Sequence, residues 1–347
     1  MEIYEYETAQ KRSKPFATYA FIGINILMWL VTAYYGFRNN LGSSDVNLIF
    51  GAKYNPLIME GQYWRLVTPI FLHGGIVHLL VNSYSLYAVG PEVESIFGVK
   101  RYIFLYLASG VLGNIASFIF SPSVSVGASG AIFGLMGTLL YIGLRFRKTF
   151  SSAYYINIVG IILFNILYGL SQKNIDNYAH IGGLAGGLIC SVLTGLEGER
   201  LVTGRKVLGW ILAAAVFAGG IFAGNVAPKN VGYKLVEQAE KSFDEKQYEK
   251  SGEFAAEALK LNVQDRNITV RATYILSASL INQGKFDQAL EYSKDMVNLY
   301  PKVGHYLLGL NYKGLGENDA AREELEKSLE LDPENKQVKE ILDSLSQ

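Results

Sequence analysis

The sequence predicts an all-α chain in two parts, a polytopic bundle of membrane-spanning helices followed by a soluble α-helical repeat domain. Three observations carry that prediction. Half of the 347 residues are hydrophobic, only 18% are charged and the mean hydropathy is +0.18, which is apolar for a soluble chain of this length. The apolar residues gather in seven long runs before about Ala227. Beyond that point Glu, Lys, Asp and Gln dominate, and stretches of sequence recur.

The runs place candidate spans at 16–35, 76–89, 102–120, 127–144, 154–170, 178–196 and 207–227. Most approach the roughly 20 residues that a bilayer-crossing helix needs. The second is short and rich in polar residues, and it is read as a span because the flanking charges require it. With the N-terminus inside, Lys11, Arg12, Lys14, Lys100, Arg101, Arg145, Arg147, Lys148, Arg200, Arg205 and Lys206 fall on the cytoplasmic side. Arg38, Lys53, Arg65 and Lys173 fall outside, which is the positive-inside pattern. Seven crossings then put the C-terminal domain outside. The alternative, a signal peptide cleaved near Val31-Thr32-Ala33, fits less well because the apolar run continues past Ala33.

The expected organisation is therefore a short cytoplasmic N-terminus at 1–15, a membrane domain at 16–200, an additional transmembrane helix at 201–227 and an extracytoplasmic repeat domain at 228–347. The connection 36–72 is too long for a turn. Its aromatic-rich stretch "GQYWRLVTPIFLHG" predicts local structure of its own, at the membrane interface. In the C-terminal part "GKFDQALEYSKDMVNLYP" (284–301) aligns with "GENDAAREELEKSLELDP" (316–333) at an offset of 32 residues. "KQYEKSGEFAAEALKLNV" (246–263) matches more loosely. Each unit reads as a helix, a turn and a second helix. The pattern resembles tetratricopeptide repeats, whose helix pairs stack because one pair cannot bury its apolar face alone. The resemblance implies a docking surface for a protein or peptide, the alternative being a solvated array with no specific partner.

Lys plus Arg and Asp plus Glu both number 31, and no basic block stands out. Nothing therefore points to nucleic acid as a partner. The single cysteine, Cys190, lies in an apolar run and allows neither an intramolecular disulfide nor a Cys-based metal site.

Polar groups inside apolar runs are costly and therefore informative. Three of the four histidines, His73, His78 and His180, lie at or in such runs, and His305 belongs to the soluble domain. A metal site would need convergent ligands. On one helix His73 and His78, five residues apart, would be turned by about 140°. No HExxH motif occurs and no intramembrane Asp pair exists, so neither a metalloprotease nor an aspartyl protease is expected, and no metal or cofactor is called for.

His78 and Asn82 are spaced i,i+4 and share a helix face. They read either as hydrogen-bonding glue between helices or as donors to a reacting group. Ser129, taken alone, reads first as a small packing residue of a close helix contact, with a nucleophile as the other reading. Gly130, Gly134 and Gly137 form one strip of small residues, and Ala179, Gly182, Gly183, Gly186 and Gly187 form another, so their helices can approach until the backbones nearly touch. Ser129 and His180 stand at the outer ends of the fourth and sixth spans, at similar depth. A serine hydroxyl within reach of a neutral imidazole is an activated nucleophile. With no carboxylate in the apolar runs the arrangement is a dyad, and Phe133, one turn below Ser129, is a stacking partner for His180. The Ser129 amide, free of an intrahelical acceptor at the start of its helix, joins His78 and Asn82 as an oxyanion donor.

Taken together, GASG with Ser129, AHIGG with His180, HGGIVHLLVN, the Trp64-Arg65 pair and "GPEVESIFG" resemble a rhomboid intramembrane serine protease over about 16–196. The resemblance implies a six-helix core, to which the seventh span is an addition. It further implies a Ser129–His180 dyad, oxyanion stabilisation by His78, Asn82 and the Ser129 amide, and hydrolysis of transmembrane segments near their outer ends. It places Gly127 close to the substrate path and makes Arg65 and Glu94 structural. Phe133 stands where tyrosine is frequent in the family, which keeps the stacking and loses a hydroxyl. The overall layout leads us to expect a multi-pass protein of a bacterial plasma membrane, with transmembrane proteins as substrates and the repeat domain recruiting substrate or adaptor. The rival reading is a catalytically silent rhomboid-like protein that binds membrane proteins. A transporter would call for charged residues at the midplane, and the spans show none.

Overall fold

Long apolar runs can satisfy their backbone only as helices, and a computed structural model of the chain is helical almost throughout. It describes residues 14–146, 152–172, 175–195 and 203–345. Lys11, Arg12, Arg147, Lys148, Lys173 and Arg200 of the charge pattern lie outside the described residues. The chain divides into two compact units, 1–225 and 226–347.

The first unit holds the long helices α1 (Phe16–Asn39), α4 (Ile76–Phe97), α5 (Val99–Phe120), α6 (Ser129–Arg145), α7 (Ser152–Ser171), α8 (Asn177–Thr194) and α9 (Thr203–Val226), with short helices α2 (Ser43–Phe50) and α3 (Asn55–Met59) between α1 and α4. By length and composition α1 and α5 are each able to cross a membrane, and α6 is a shorter apolar helix. α5, α6 and α8 pack on one another around a core that includes Leu105, Tyr106, Leu135 and Ile142, while α1 lies against α4.

α4 corrects one expectation. It runs to Phe97, beyond the predicted end at 89, and carries Pro91 inside it. Proline deletes one rung of the helix ladder, but the extension brings Glu94 to the start of α1. There the buried carboxylate accepts from the Ala17 and Thr18 amides, each at 2.9 Å, and from the Thr18 hydroxyl at 2.8 Å. An anion at a helix N-terminus meets both the orphan N–H groups and the positive end of the dipole.

The connection before α4 does have its own structure: α2, α3 and two turns of 3₁₀ helix, Tyr63–Leu66 and Thr68–Phe71. Arg65, buried, ties it together by donating to the Leu48 and Ala52 carbonyls and to Gln62 Oε1, and its guanidinium lies over the Trp64 ring. Asn114 of α5 donates to the Leu66 carbonyl at 2.9 Å.

Gly183 and Gly187 face α6, and Gly182 and Gly186 face α5, so the single small-residue strip read from the sequence serves two contacts. A Cβ on Gly183 would overlap the Gly130 carbonyl, and one on Gly187 the Gly134 carbonyl. Helix backbones can touch only where both carry no side chain. Thr138 and Ser191 add a hydroxyl–hydroxyl bond of 3.0 Å across the same seam.

The second unit stacks α10 (Pro228–Asp244), α11 (Tyr248–Lys260), α12 (Arg266–Asn282), α13 (Phe286–Leu299), α14 (Pro301–Leu315), α15 (Asn318–Leu331) and α16 (Lys336–Ser344). Each of the three recurring stretches covers the second helix of a pair, not a whole unit. Their first residues, Lys246, Gly284 and Gly316, all have left-handed backbone, with φ of 60°, 70° and 81°. That conformation costs a residue with a Cβ about 1–2 kcal/mol, partly offset by the extra chain entropy glycine loses on folding. Lys246→Gly is therefore expected to stabilise this unit by about 0.5–1 kcal/mol, read as resistance of the intact chain to proteolysis within 226–347 in a urea series.

Candidate active site

Ser129 is the first residue of α6. The chain enters that helix through Gly127, whose φ of +135° is open to glycine and strained for any other residue, and through Ala128. The Gly127 amide donates to the Pro69 carbonyl at 2.9 Å, which holds the turn against the preceding connection. As a helix-starting residue Ser129 has a backbone N–H without an intrahelical acceptor.

The close contact of α6 with α8 brings the two candidate chemical groups together. His180 Nε2 lies 2.9 Å from Ser129 Oγ. The Phe133 ring stacks on the imidazole, with centroids 4.3 Å apart and planes 11° from parallel. His180 is 8% exposed, and its Nδ1 is buried without a hydrogen-bond partner among the described residues. Among the described residues no carboxylate orients the ring through Nδ1, so stacking and the helix packing hold it.

His78 and Asn82 sit one turn apart on α4, and the Asn82 amide donates to the His78 carbonyl at 3.1 Å. The Gly74 amide donates to His78 Nδ1 at 3.4 Å. In a neutral imidazole the proton then belongs on Nε2. A Cβ built on Gly127 would lie 2.8 Å from His78 Nε2 and 3.7 Å from the Asn82 side-chain nitrogen. The space beside Gly127 is thus faced by two side-chain N–H donors, two residues before the Ser129 amide. A group of this kind can take a proton from a hydroxyl and accept a developing oxyanion in one place.

His73 corrects the sequence argument. The 140° rotation assumed one helix for both histidines, whereas α4 begins at Ile76 and His73 precedes it, so the His73 and His78 rings meet edge-on with centroids 5.3 Å apart. Among the described residues no cluster of three metal-binding side chains forms around them.

Residue-by-residue reading missed Asp176, Ser117, Lys53 and Asn55. Asp176 caps α8, accepting from the Ala179 amide at 3.1 Å, and its other carboxylate oxygen accepts from the Ser117 hydroxyl. An Asp immediately before an apolar helix is a readable cap signal. Lys53, counted above as an outside charge, is fully buried; its ammonium donates to the Ser121 and Ser123 carbonyls at 2.6 and 3.0 Å. Nothing in a lone lysine of an aromatic loop signals that.

Compared with known families, residues 60–197 match the Rhomboid domain and residues 304–335 match a Tetratricopeptide repeat. The chain is 38% identical over 304 residues to Rhomboid protease GluP of Bacillus subtilis (strain 168), across 87% of this chain and 58% of that relative. It is 39% identical over 149 residues to Putative rhomboid protease YdcA of the same organism, across 42% of this chain and 75% of that relative. A third relative, Rhomboid-like protease 1 of Toxoplasma gondii, is 32% identical over 185 residues, or 50% of this chain and 60% of its own length. The chain thus spans a little over half the length of the first of these relatives and three-quarters of the second.

Proposed function

The chain belongs to the rhomboid family of multi-pass membrane proteins, and from that premise we propose that it is an intramembrane serine endopeptidase that cuts transmembrane proteins through Ser129 and His180. The observation that carries the reading is the 2.9 Å approach of Ser129 Oγ to His180 Nε2 at a helix start flanked by the His78 and Asn82 donors. In the acylation step His180 takes the hydroxyl proton as Ser129 Oγ attacks the scissile carbonyl. The oxyanion of the tetrahedral intermediate accepts from His78 Nε2–H, the Asn82 amide and the Ser129 N–H. Collapse breaks the C–N bond, and His180 passes the proton to the leaving amine. Water, deprotonated by His180, then hydrolyses the acyl-enzyme and restores Ser129.

Each oxyanion donor contributes only in the transition state, where the carbonyl oxygen carries charge. The test is cleavage of transmembrane reporter proteins by the full chain in proteoliposomes. His78→Ala and Asn82→Ala are each expected to lower turnover by about 10²-fold with little change in KM, since removing one such donor costs about that much. A folded wild-type protein that cleaves none of a varied reporter panel would favour the silent, membrane-protein-binding reading. Under our reading the N-terminus is cytoplasmic, the second unit is extracytoplasmic, and its helix pairs recruit substrate or adaptor proteins to the membrane domain.

A further inference from the structure

Two elements must keep register for Ser129 and His180 to meet: the segment 121–128 that leads into the serine, and the first turn of α8 that carries the histidine. Both are fastened at one place, the C-terminal turn of α5. On one side Lys53 reaches that turn. Its ammonium donates to the Ser121 carbonyl at 2.6 Å and the Ser123 carbonyl at 3.0 Å. Its backbone pairs with Ser125 through two hydrogen bonds of 3.0 Å. Asn55 adds bonds to the Phe118 and Ser121 carbonyls, so the last carbonyls of α5, which lack helical partners, are capped by side chains from the preceding connection.

On the other side Asp176 takes the Ser117 hydroxyl, one turn before Ser121 on the same helix, while its second oxygen caps α8 at the Ala179 amide. His180 follows Asp176 by one turn, and its amide donates to the Asp176 carbonyl at 3.2 Å. Burial pulls the Lys53 ammonium down to about 7, and Asp176 opposes that pull. A fully buried ammonium is costly unless hydrogen-bonded groups hold it, and here the Ser121 and Ser123 carbonyls do.

Resting on the reading of Ser129 as nucleophile, we propose that Lys53 and Asp176 are positioning residues, two anchors on the end of α5 whose hydrogen bonds together set the distance between the serine and the histidine. Neither touches the reacting atoms. Lys53 acts through the backbone of 121–125, and Asp176 acts through the start of α8. Their effect is on reactivity of the serine and not on capture of the reagent.

The experiment uses the full chain in membranes and a fluorophosphonate, which reports serine reactivity without a known substrate. Labelling rates over a range of probe concentrations separate the saturating rate from the half-saturating concentration. Asp176→Asn retains the cap through its one remaining oxygen, because Asn caps helices as well as Asp, and removes the charge together with the oxygen that accepts from the Ser117 hydroxyl. Lys53→Met retains the stem. Each is expected to lower the saturating rate about tenfold or more at unchanged half-saturation, since small misplacements of reacting groups are costly. The double variant should be no slower than the slower single variant, as expected of residues that act through one another. Asp176→Asn carries the test alone if Lys53→Met does not fold. A wild-type rate for Asp176→Asn, or losses that multiply in the double variant, would overturn the inference. Absence of labelling in the folded wild type would instead remove the nucleophile reading on which it rests.

Discussion

Ser129→Ala is expected to reduce cleavage of a transmembrane reporter to background, a loss of at least about 10³-fold, and His180→Ala to match it within about tenfold. The two residues act as one unit: the hydroxyl is a weak nucleophile until Nε2 removes its proton, so losing either partner removes the same step. The double variant should be no worse than either single one. Ser129 is half-buried and, among the described residues, its one side-chain bond is to His180, so Ser129→Ala should fold as the wild type does, with an unchanged thermal midpoint in detergent. A loss of that size, about 4 kcal/mol of transition-state stabilisation, without loss of stability separates chemistry from folding.

The second large effect is expected far from the reacting atoms. Gly187 lies two turns below His180 on α8, where its backbone presses on Gly134 of α6. A methyl group there would overlap the Gly134 carbonyl, and a backbone atom cannot swing aside as a flexible side chain does. Gly187→Val forces α6 and α8 apart, at a cost of about 3 kcal/mol or more, the upper end of overpacking penalties. The same separation pulls His180 from Ser129, and a displacement of about 1 Å is enough to cost roughly 10²-fold in rate. Gly160→Ala on α7 is the control, because among the described residues nothing lies within 4 Å of the added atom; it should leave cleavage unchanged and stability no lower than in the wild type, since glycine in a helix interior costs about 0.5–1 kcal/mol relative to alanine. Thermal unfolding and reporter cleavage of the two variants, side by side, check both halves of the argument.

Why some of this was legible in the sequence and some was not follows from the range of each interaction. The long helices are visible because an apolar run of bilayer length has one way to satisfy its backbone. The pairing of Ser129 with His180 is visible because small residues follow each at helical spacing, and two glycine strips specify a close crossing. The i,i+4 spacing of His78 and Asn82 is likewise a local feature of α4. The division of the second strip between α5 and α6 is not local: Gly182 and Gly183 are neighbours in sequence and differ only in which helix stands opposite. His73 was misjudged because the spacing rule holds only inside one helix and α4 starts three residues later. The extension of α4 past 89 was hidden because Pro91 and Glu94 read as an ending, until the start of α1 supplies the partner that Glu94 needs. Lys53 was least legible. A lysine in a connecting loop is ordinarily solvated, and its burial depends on carbonyls 68 and 70 residues away. In the second unit the recurring stretches marked the turns well, because Lys246, Gly284 and Gly316 occupy the same left-handed position.

The most direct test of the central claim, an activated serine at residue 129, is reaction of the membrane-embedded chain with a fluorophosphonate, followed by mass-spectrometric mapping of the adduct. The account predicts a phosphonyl adduct on Ser129 in the wild type and none in folded Ser129→Ala or His180→Ala protein. An adduct on another residue, equal labelling of the His180→Ala variant, or no adduct on a folded wild type would contradict it.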